Sequence, residues 1–238
     1  MIEINKIYNL DALKLLNQID NDIIDLTITS PPYNLGEKHH TNTNVFNAYD
    51  EYNDNLPEDE YQQNQITVLN EIFRATKEKG SLLYNHKNRI RGGKQISPYE
   101  WIYKTKWTIK QELIWQNGTP NMDNCRFYPS TERIYWLSKG IETDFVNIVK
   151  ANDLIKDNPV GTLNEHKRAF PLLFARRFIV CFPNAKLIFD PYMGSATTAI
   201  ASIKEKRNYL GSEISENYYN FGNKRINNEN SELSFGFN

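Results

Sequence analysis

The chain of 238 residues is poor in the residues that build covalent or metal-bound scaffolds. Its two cysteines, Cys125 and Cys181, stand in unrelated contexts, so neither a disulfide framework nor a Cys-x-x-Cys zinc site can be read from them. Four histidines, His39, His40, His86 and His166, form no metal-ligand spacing. No apolar run approaches the roughly 20 residues that span a bilayer, and the start, MIEINKIYNLDALKLL, lacks the basic, apolar and small-residue succession of a secretory leader. A reducing cytoplasm is the simplest expected location, with no membrane association. Nor is either charge in excess: 28 Lys and Arg stand against 29 Asp and Glu, a formal net charge of −1. Contact with a polyanion must therefore come from a local basic patch and not from the field of the whole chain. Internal repeats are absent as well, which excludes solenoids and propellers.

What is present is an alternation of apolar strands and amphipathic helices. Residues 11–18 suit a short helix capped by Asp11, with Leu13, Leu15 and Leu16 on its apolar side. The β-branched run 23–29 stops at Pro31 and Pro32 and suits a buried parallel strand. Residues 37–55 are polar and without period, the pattern of a mobile loop. A helix is expected over 58–79 from Tyr61, Ile66, Leu69, Ile72 and Phe73, followed by a strand over 81–85. Two aromatic strands are expected at 107–115 and 133–137, and the polar stretch after them to Glu165 suggests no element. From Phe170 the alternation resumes, with a helix to Phe182, a strand over 186–190, a helix from Ala196, a strand over 208–213 and a helix from Ser215 that frays after Asn227. The expected architecture is α/β, a doubly wound and mostly parallel sheet with right-handed crossovers, in one domain over 1–238.

Two strings sit where such a fold binds ligands, at the carboxyl ends of strands. The first is Thr29-Ser30-Pro31-Pro32-Tyr33. Consecutive prolines fix φ near −65° and restrict the residue before each, so the Pro31 carbonyl is held in one direction, with the Ser30 hydroxyl beside it. An exocyclic amine on a base is a poor nucleophile because its lone pair is delocalised into the ring. Two acceptors that take its protons favour a pyramidal nitrogen able to attack a methyl group in line. Tyr33 offers a flat face for an extruded base. The same string also serves as a proline-rich turn with Tyr33 in the core.

The second string is Phe189-Asp190-Pro191-Tyr192-Met193-Gly194-Ser195-Ala196-Thr197-Thr198, a strand, a small-residue turn and a helix start. Gly194 and its small neighbours let a ligand approach the backbone, and amides at a helix start favour an anionic group such as a carboxylate. Glu213 closes the next strand about 20 residues on, where an acidic side chain binds ribose hydroxyls. A generic dinucleotide turn is the alternative. It lacks the second glycine of that fingerprint, and adenosine carrying an amino acid fits better than a pyrophosphate.

The pair of strings resembles the amino-group DNA methyltransferases of bacterial restriction-modification systems, in the circularly permuted β-type order. In that family a (S/D/N)-P-P-(Y/F) catalytic motif precedes a cofactor motif like DP(F/Y)xGSGTT; here they stand as TSPPY and DPYMGSATT. The likeness extends to Asn9-Leu10-Asp11-Ala12, similar to the family segment whose acidic residue binds the cofactor adenine, and to His166-Lys167-Arg168-Ala169-Phe170-Pro171, similar to the segment lining its methionine end. Ala196 departs from the family's usual glycine; being small, it is expected to pack more tightly without loss of binding. The resemblance implies an S-adenosylmethionine methyltransferase (Rossmann-like) fold and a single catalytic domain. It implies catalysis by Ser30, Pro31, Pro32 and Tyr33, and cofactor contacts from Asp11, Phe170, Asp190, Tyr192, Gly194, Ser195, Ala196, Thr197, Thr198 and Glu213. Double-stranded DNA is the implied substrate, with target-recognition segments within 36–57 and 86–165. A cognate restriction endonuclease and a second copy of the chain are the further partners it raises.

A Ser before Pro-Pro-Tyr, and Phe170 before Pro171, are more similar to the cytosine-N4 enzymes, so N4 of cytosine is the expected target and N6 of adenine the alternative. The permuted order argues against relatives that methylate protein glutamine or RNA, and an inactive nucleic-acid-binding module is the rival of another class. Cys181 reads as core and Cys125 has no activating base nearby, so direct transfer without a covalent intermediate is expected, with no metal. The basic loop NHKNRIRGGK, with Lys87, Arg89, Arg91 and Lys94, either holds phosphates or is solvated surface.

Overall fold

The structure is a computed structural model that describes residues 2–35, 54–116, 127–156 and 170–235. The elements follow in chain order as β1 (Lys6–Tyr8), α1 (Ala12–Leu16), β2 (Ile24–Thr29), α2 (Glu58–Ala75), β3 (Thr76–His86), β4 (Arg89–Arg91), β5 (Lys94–Ile96), α3 (Tyr99–Ile102), β6 (Thr108–Gln116), β7 (Thr131–Ser138), β8 (Leu154–Ile155), α4 (Leu172–Val180), β9 (Leu187–Asp190), α5 (Thr197–Lys204), β10 (Asn208–Ser212) and α6 (Glu216–Phe235).

Eight strands form one sheet in the order β1-β10-β9-β2-β3-β7-β6-β8. From β1 to β3 all pairs are parallel; β7 runs antiparallel to β3 and β6 antiparallel to β7. Period-2 alternation explains why these strands are buried on both faces. Phe189 and Leu187 of β9, Leu82 and Tyr84 of β3, and Tyr135 and Leu137 of β7 enter one core, against Leu69 and Ile72 of α2 and Trp101 of α3. Their neighbours Ile188, Leu83, Ile134 and Trp136, with Leu26 and Ile28 of β2, enter the opposite core against Phe174, Phe178 and Ile179 of α4.

The chain leaves β2 through α2 to β3 on one side and leaves β9 through α5 to β10 on the other. The sheet therefore changes winding direction between β2 and β9, the position beyond whose carboxyl ends open α/β sheets bind their ligands. Close packing keeps that end narrow. A Cβ at Gly211 of β10 would collide with the carbonyl oxygen of Asp190 and with Cε of Met193, so only glycine fits.

Several local expectations are corrected. The second helix ends at Ala75, where Thr76 turns to an extended backbone and its hydroxyl caps the Ile72 carbonyl at 2.7 Å. The strand then starts at Thr76 and bulges, because Ile24 pairs with Thr76 but Leu26 with Ser81. The expected basic loop is a hairpin of β4 and β5, turned at Gly92 and Gly93, whose φ values of 56° and 76° suit a two-residue hairpin turn. The last helix, expected from Ser215, runs to Phe235 and is tied to the body by Lys204 to Glu229 and by Arg225 to the Ser195 carbonyl. The 37–55 loop falls mostly outside the described residues, as do Cys125 and His166. Among the described residues no helix is long and apolar enough to cross a membrane.

Candidate active site

The two strings of interest meet at the ends of β2 and β9. The Thr29 hydroxyl donates to Oδ1 of Asp190 at 2.7 Å, Thr198 donates to Oδ2 at 2.7 Å, and the Tyr192 amide donates to Oδ1 at 3.0 Å. This carboxyl is buried, and burial pushes its pKa from 3.8 up to about 7 against the three bonds that oppose the shift. Both its oxygens are engaged within the protein, so Asp190 braces β2, β9 and the start of α5 to one another.

The turn after β9 is held by backbone and by Glu213. Its Oε2 accepts from the Gly194 amide at 2.7 Å and Oε1 from the Ser215 amide at 2.9 Å. Gly194 has φ 50°. Ala196, fully buried, is the N-cap of α5 with φ 64°, and its side chain offers no capping acceptor. The first amides of α5 are thus not capped by a side chain, the condition under which a helix start receives an external anion. Asp11 caps α1, accepting from the amides of Leu13 at 2.9 Å and Lys14 at 3.3 Å. Two residues before it, Asn9 donates to the Glu213 and Ile214 carbonyls. Phe170 packs on Phe174, ring centroids 5.4 Å apart, at the start of α4.

The segment after β2 is held instead by side chains. Ser30 Oγ and Tyr33 Oη are 2.8 Å apart, and Tyr33 donates to Oε2 of Glu132 at 3.0 Å. The Asn85 amide nitrogen reaches Tyr33 Oη at 2.7 Å and Glu132 Oε2 at 3.0 Å. Its carbonyl oxygen is buried and has no partner among the described residues. The Tyr33 ring lies 4.6 Å from that of His86, and Lys87 stands 5.7 Å from its centroid. Tyr61 donates to the Pro32 carbonyl at 2.7 Å and lies 2.8 Å from Nε2 of His86. The Pro32 oxygen is thereby taken up. His86 Nδ1 is 2.8 Å from the Lys87 carbonyl. Burial, with Arg89 adding to it, drives the His86 pKa well below its ordinary value and keeps the ring neutral.

Of the four basic residues singled out, two are turned inward. Arg89 is buried, bonds both Glu58 oxygens at 2.9 and 2.7 Å and lies 4.7 Å from the Tyr61 ring centroid. Arg91 donates to the carbonyls of Leu56 and Asn34. Lys94 is exposed at the hairpin turn, and Lys87 borders Tyr33. Sequence reasoning missed Asn85, His86 and Glu132. The available signal was a polar residue at the site end of each strand, Asn85 and His86 closing β3 and Glu132 second in β7.

A topological switch point flanked by a small-residue helix start and a Pro-Pro-Tyr segment defines an α/β protein of the Rossmann-like methyltransferase class. The chain matches the N6/N4 family described as DNA methylase in two stretches, 24–157 and 144–224, and belongs to that family. It is 28% identical to the type II methyltransferase M.ScaI of Streptomyces caespitosus, over 92% of this chain and 80% of that one. It is 26% identical to M.SmaI of Serratia marcescens, over 91% and 88%. Among solved structures it is similar to the PvuII DNA methyltransferase (cytosine-N4-specific), with a TM-score of 0.75, 18% identity and coverage of 93% and 86%. The M1.HpyAVI-SAM complex gives a TM-score of 0.64 at 18% identity, covering 93% and 98%.

Proposed function

We propose that this DNA methyltransferase uses S-adenosylmethionine to methylate the exocyclic N4 of cytosine in a base swung out of the duplex. The observation that carries this reading is the bond between Thr29 and Asp190, which sets the TSPPY segment beside the DPYMGSATT turn. When bound, the cofactor supplies an electrophilic methyl group on sulfur. Glu213 and the uncapped start of α5 have the chemistry to hold its ribose and its carboxylate, and Asp11, two residues after the Asn9 that bonds the Glu213 carbonyl, serves the adenine end.

The Pro31 carbonyl and Ser30 accept the amine protons, and Tyr33, backed by His86, stacks on the base. Most of the rate comes from holding nitrogen and methyl in line. Ser30 and the likeness to a cytosine-N4-specific structure support cytosine over adenine. Target recognition falls to 36–57 and 86–165, and Lys87 and Lys94 are the phosphate contacts of the basic hairpin, since Arg89 and Arg91 are occupied internally. The test is to incubate protein and cofactor with unmethylated DNA, digest to nucleosides and identify the product by mass spectrometry. N4-methylcytosine is expected; N6-methyladenine would overturn the base assignment, and 5-methylcytosine the mechanism.

A further inference from the structure

We propose that Glu132 is the terminal acceptor of the proton released when the amine is methylated, reached through Ser30 and Tyr33. The inference rests on the amino-methylation reading above. Transfer forms a carbon-nitrogen bond and breaks the sulfur-methyl bond, whose electron pair stays on sulfur, and the nitrogen is left with one proton too many. Its first acceptor is Ser30 Oγ. A serine hydroxyl is far too weak a base to keep that proton, so it must hand its own onward as it receives one.

The structure supplies the chain. Ser30 Oγ is 2.8 Å from Tyr33 Oη, and Tyr33 Oη donates to Glu132 Oε2 at 3.0 Å. Because the Tyr33 hydrogen points to Glu132, the Ser30 hydrogen points to Tyr33, and each proton moves one bond toward the carboxylate. Asn85, donating to Tyr33 Oη, to Glu132 Oε2 and, at 3.4 Å, to Ser30 Oγ, gives hydrogen bonds to all three atoms and takes no proton from any of them. Among the described residues, Tyr33 bonds Glu132 directly, the neutral His86 and Lys87 border the Tyr33 ring, and Arg133, next in the chain, is ion-paired with Glu112 of β6 at 2.7 Å. Glu132 is the carboxylate at the end of the relay.

The test is single-turnover transfer of labelled methyl to unmethylated DNA across pH, with the wild type, Glu132→Gln, Glu132→Asp and Tyr33→Phe, together with calorimetry of cofactor binding and titration of DNA binding. Glu132→Gln still accepts the Tyr33 hydrogen bond but takes no proton, and Tyr33→Phe keeps the stacking ring but cuts the relay. Both should lose roughly 100-fold in rate at unchanged affinities. The acid limb of the wild-type profile, where the carboxylate is protonated, should vanish in Glu132→Gln, and Glu132→Asp should recover part of the rate. Wild-type rates in Glu132→Gln or Tyr33→Phe, or a slowed Glu132→Gln that keeps the acid limb, would overturn the relay. If Glu132→Gln fails to fold, Tyr33→Phe decides alone. Failure of the underlying reading looks different, because the wild type itself would then label no DNA.

Discussion

The two strand ends that form the candidate site are built from different materials. After β9 the chain is shaped by backbone: a glycine and an alanine at positive φ, an amide held by Glu213, and a helix start without a side-chain cap. After β2 it is shaped by side chains, where Ser30, Tyr33, Asn85 and Glu132 bond one another, Tyr61 holds the Pro32 carbonyl and His86 lies against the Tyr33 ring. Backbone can bind any cofactor-shaped ligand but cannot exchange protons; side chains can. The division implies that substitutions at the first end change affinity and those at the second change rate, with Asp190 as the joint whose loss disturbs both.

The joint should give the largest effect. Asp190 has a free pKa near 3.8 that rises to about 7 in the fold because the carboxyl is buried. The native state therefore binds a proton that the unfolded state has lost, so this residue's contribution is most favourable below about pH 4 and declines as pH rises to about 7. The difference corresponds to about 4 kcal/mol. Thermal melts of wild type and Asp190→Asn across pH 4 to 8 should differ in slope, with the variant losing less stability toward high pH. His86 acts in the opposite sense: its depressed pKa contributes stability above about 6.5 that is lost as pH falls. Parallel slopes would show that Asp190 is ionised throughout.

The next effect separates the two ends. Glu213→Ala removes the acceptor of the Gly194 and Ser215 amides and the charged partner expected for the ribose, so cofactor affinity by calorimetry should fall by about 1.5 to 3 kcal/mol. Tyr33→Ala is its mirror image, with cofactor affinity kept and methylation reduced as the base loses about 1 to 3 kcal/mol of stacking. If the two variants exchange phenotypes, the pockets are assigned the wrong way round.

The smallest effect concerns Ala196. An alanine at φ 64° carries about 1 to 2 kcal/mol of strain that glycine does not. Its Cβ is accommodated because α6 carries Gly222 opposite, where a methyl group in place of the hydrogen would lie 3.1 Å from it. Ala196→Gly should relieve the strain and leave a small void, so the melting temperature should change by no more than a few degrees while cofactor affinity holds. A large loss of affinity would mean that the methyl group touches the ligand.

Which parts were legible in the sequence follows from how local each one is. The strand Ile24–Thr29, the short helix capped by Asp11 and the alternation after Phe170 were readable because period and capping are local properties. β1 and β8 are three residues or fewer and take their conformation from pairing with distant chain, as Lys6 does with Leu210 and Ile114 with Leu154. The helix end at Ala75 was missed because Lys77, Glu78 and Lys79 favour a helix, whereas parallel pairing with β2 draws them into a bulged strand. Glu132 and Asn85 escaped notice because only the antiparallel pairing of β3 with β7 brings them to Tyr33. Arg89 read as surface, and its burial depends on Glu58, 31 positions earlier.

The Thr29 to Asp190 bond also sets a timetable. Its partners are 161 positions apart, and Glu213 lies further along still, so the half-site that emerges first from the ribosome waits for nearly the whole chain before it meets its complement. Contacts of such separation form late and slowly in folding. An incomplete chain ending before β9 would carry the TSPPY segment and no turn to receive a cofactor. Competence to modify DNA is therefore among the last properties the molecule acquires, and a truncated product is silent by construction.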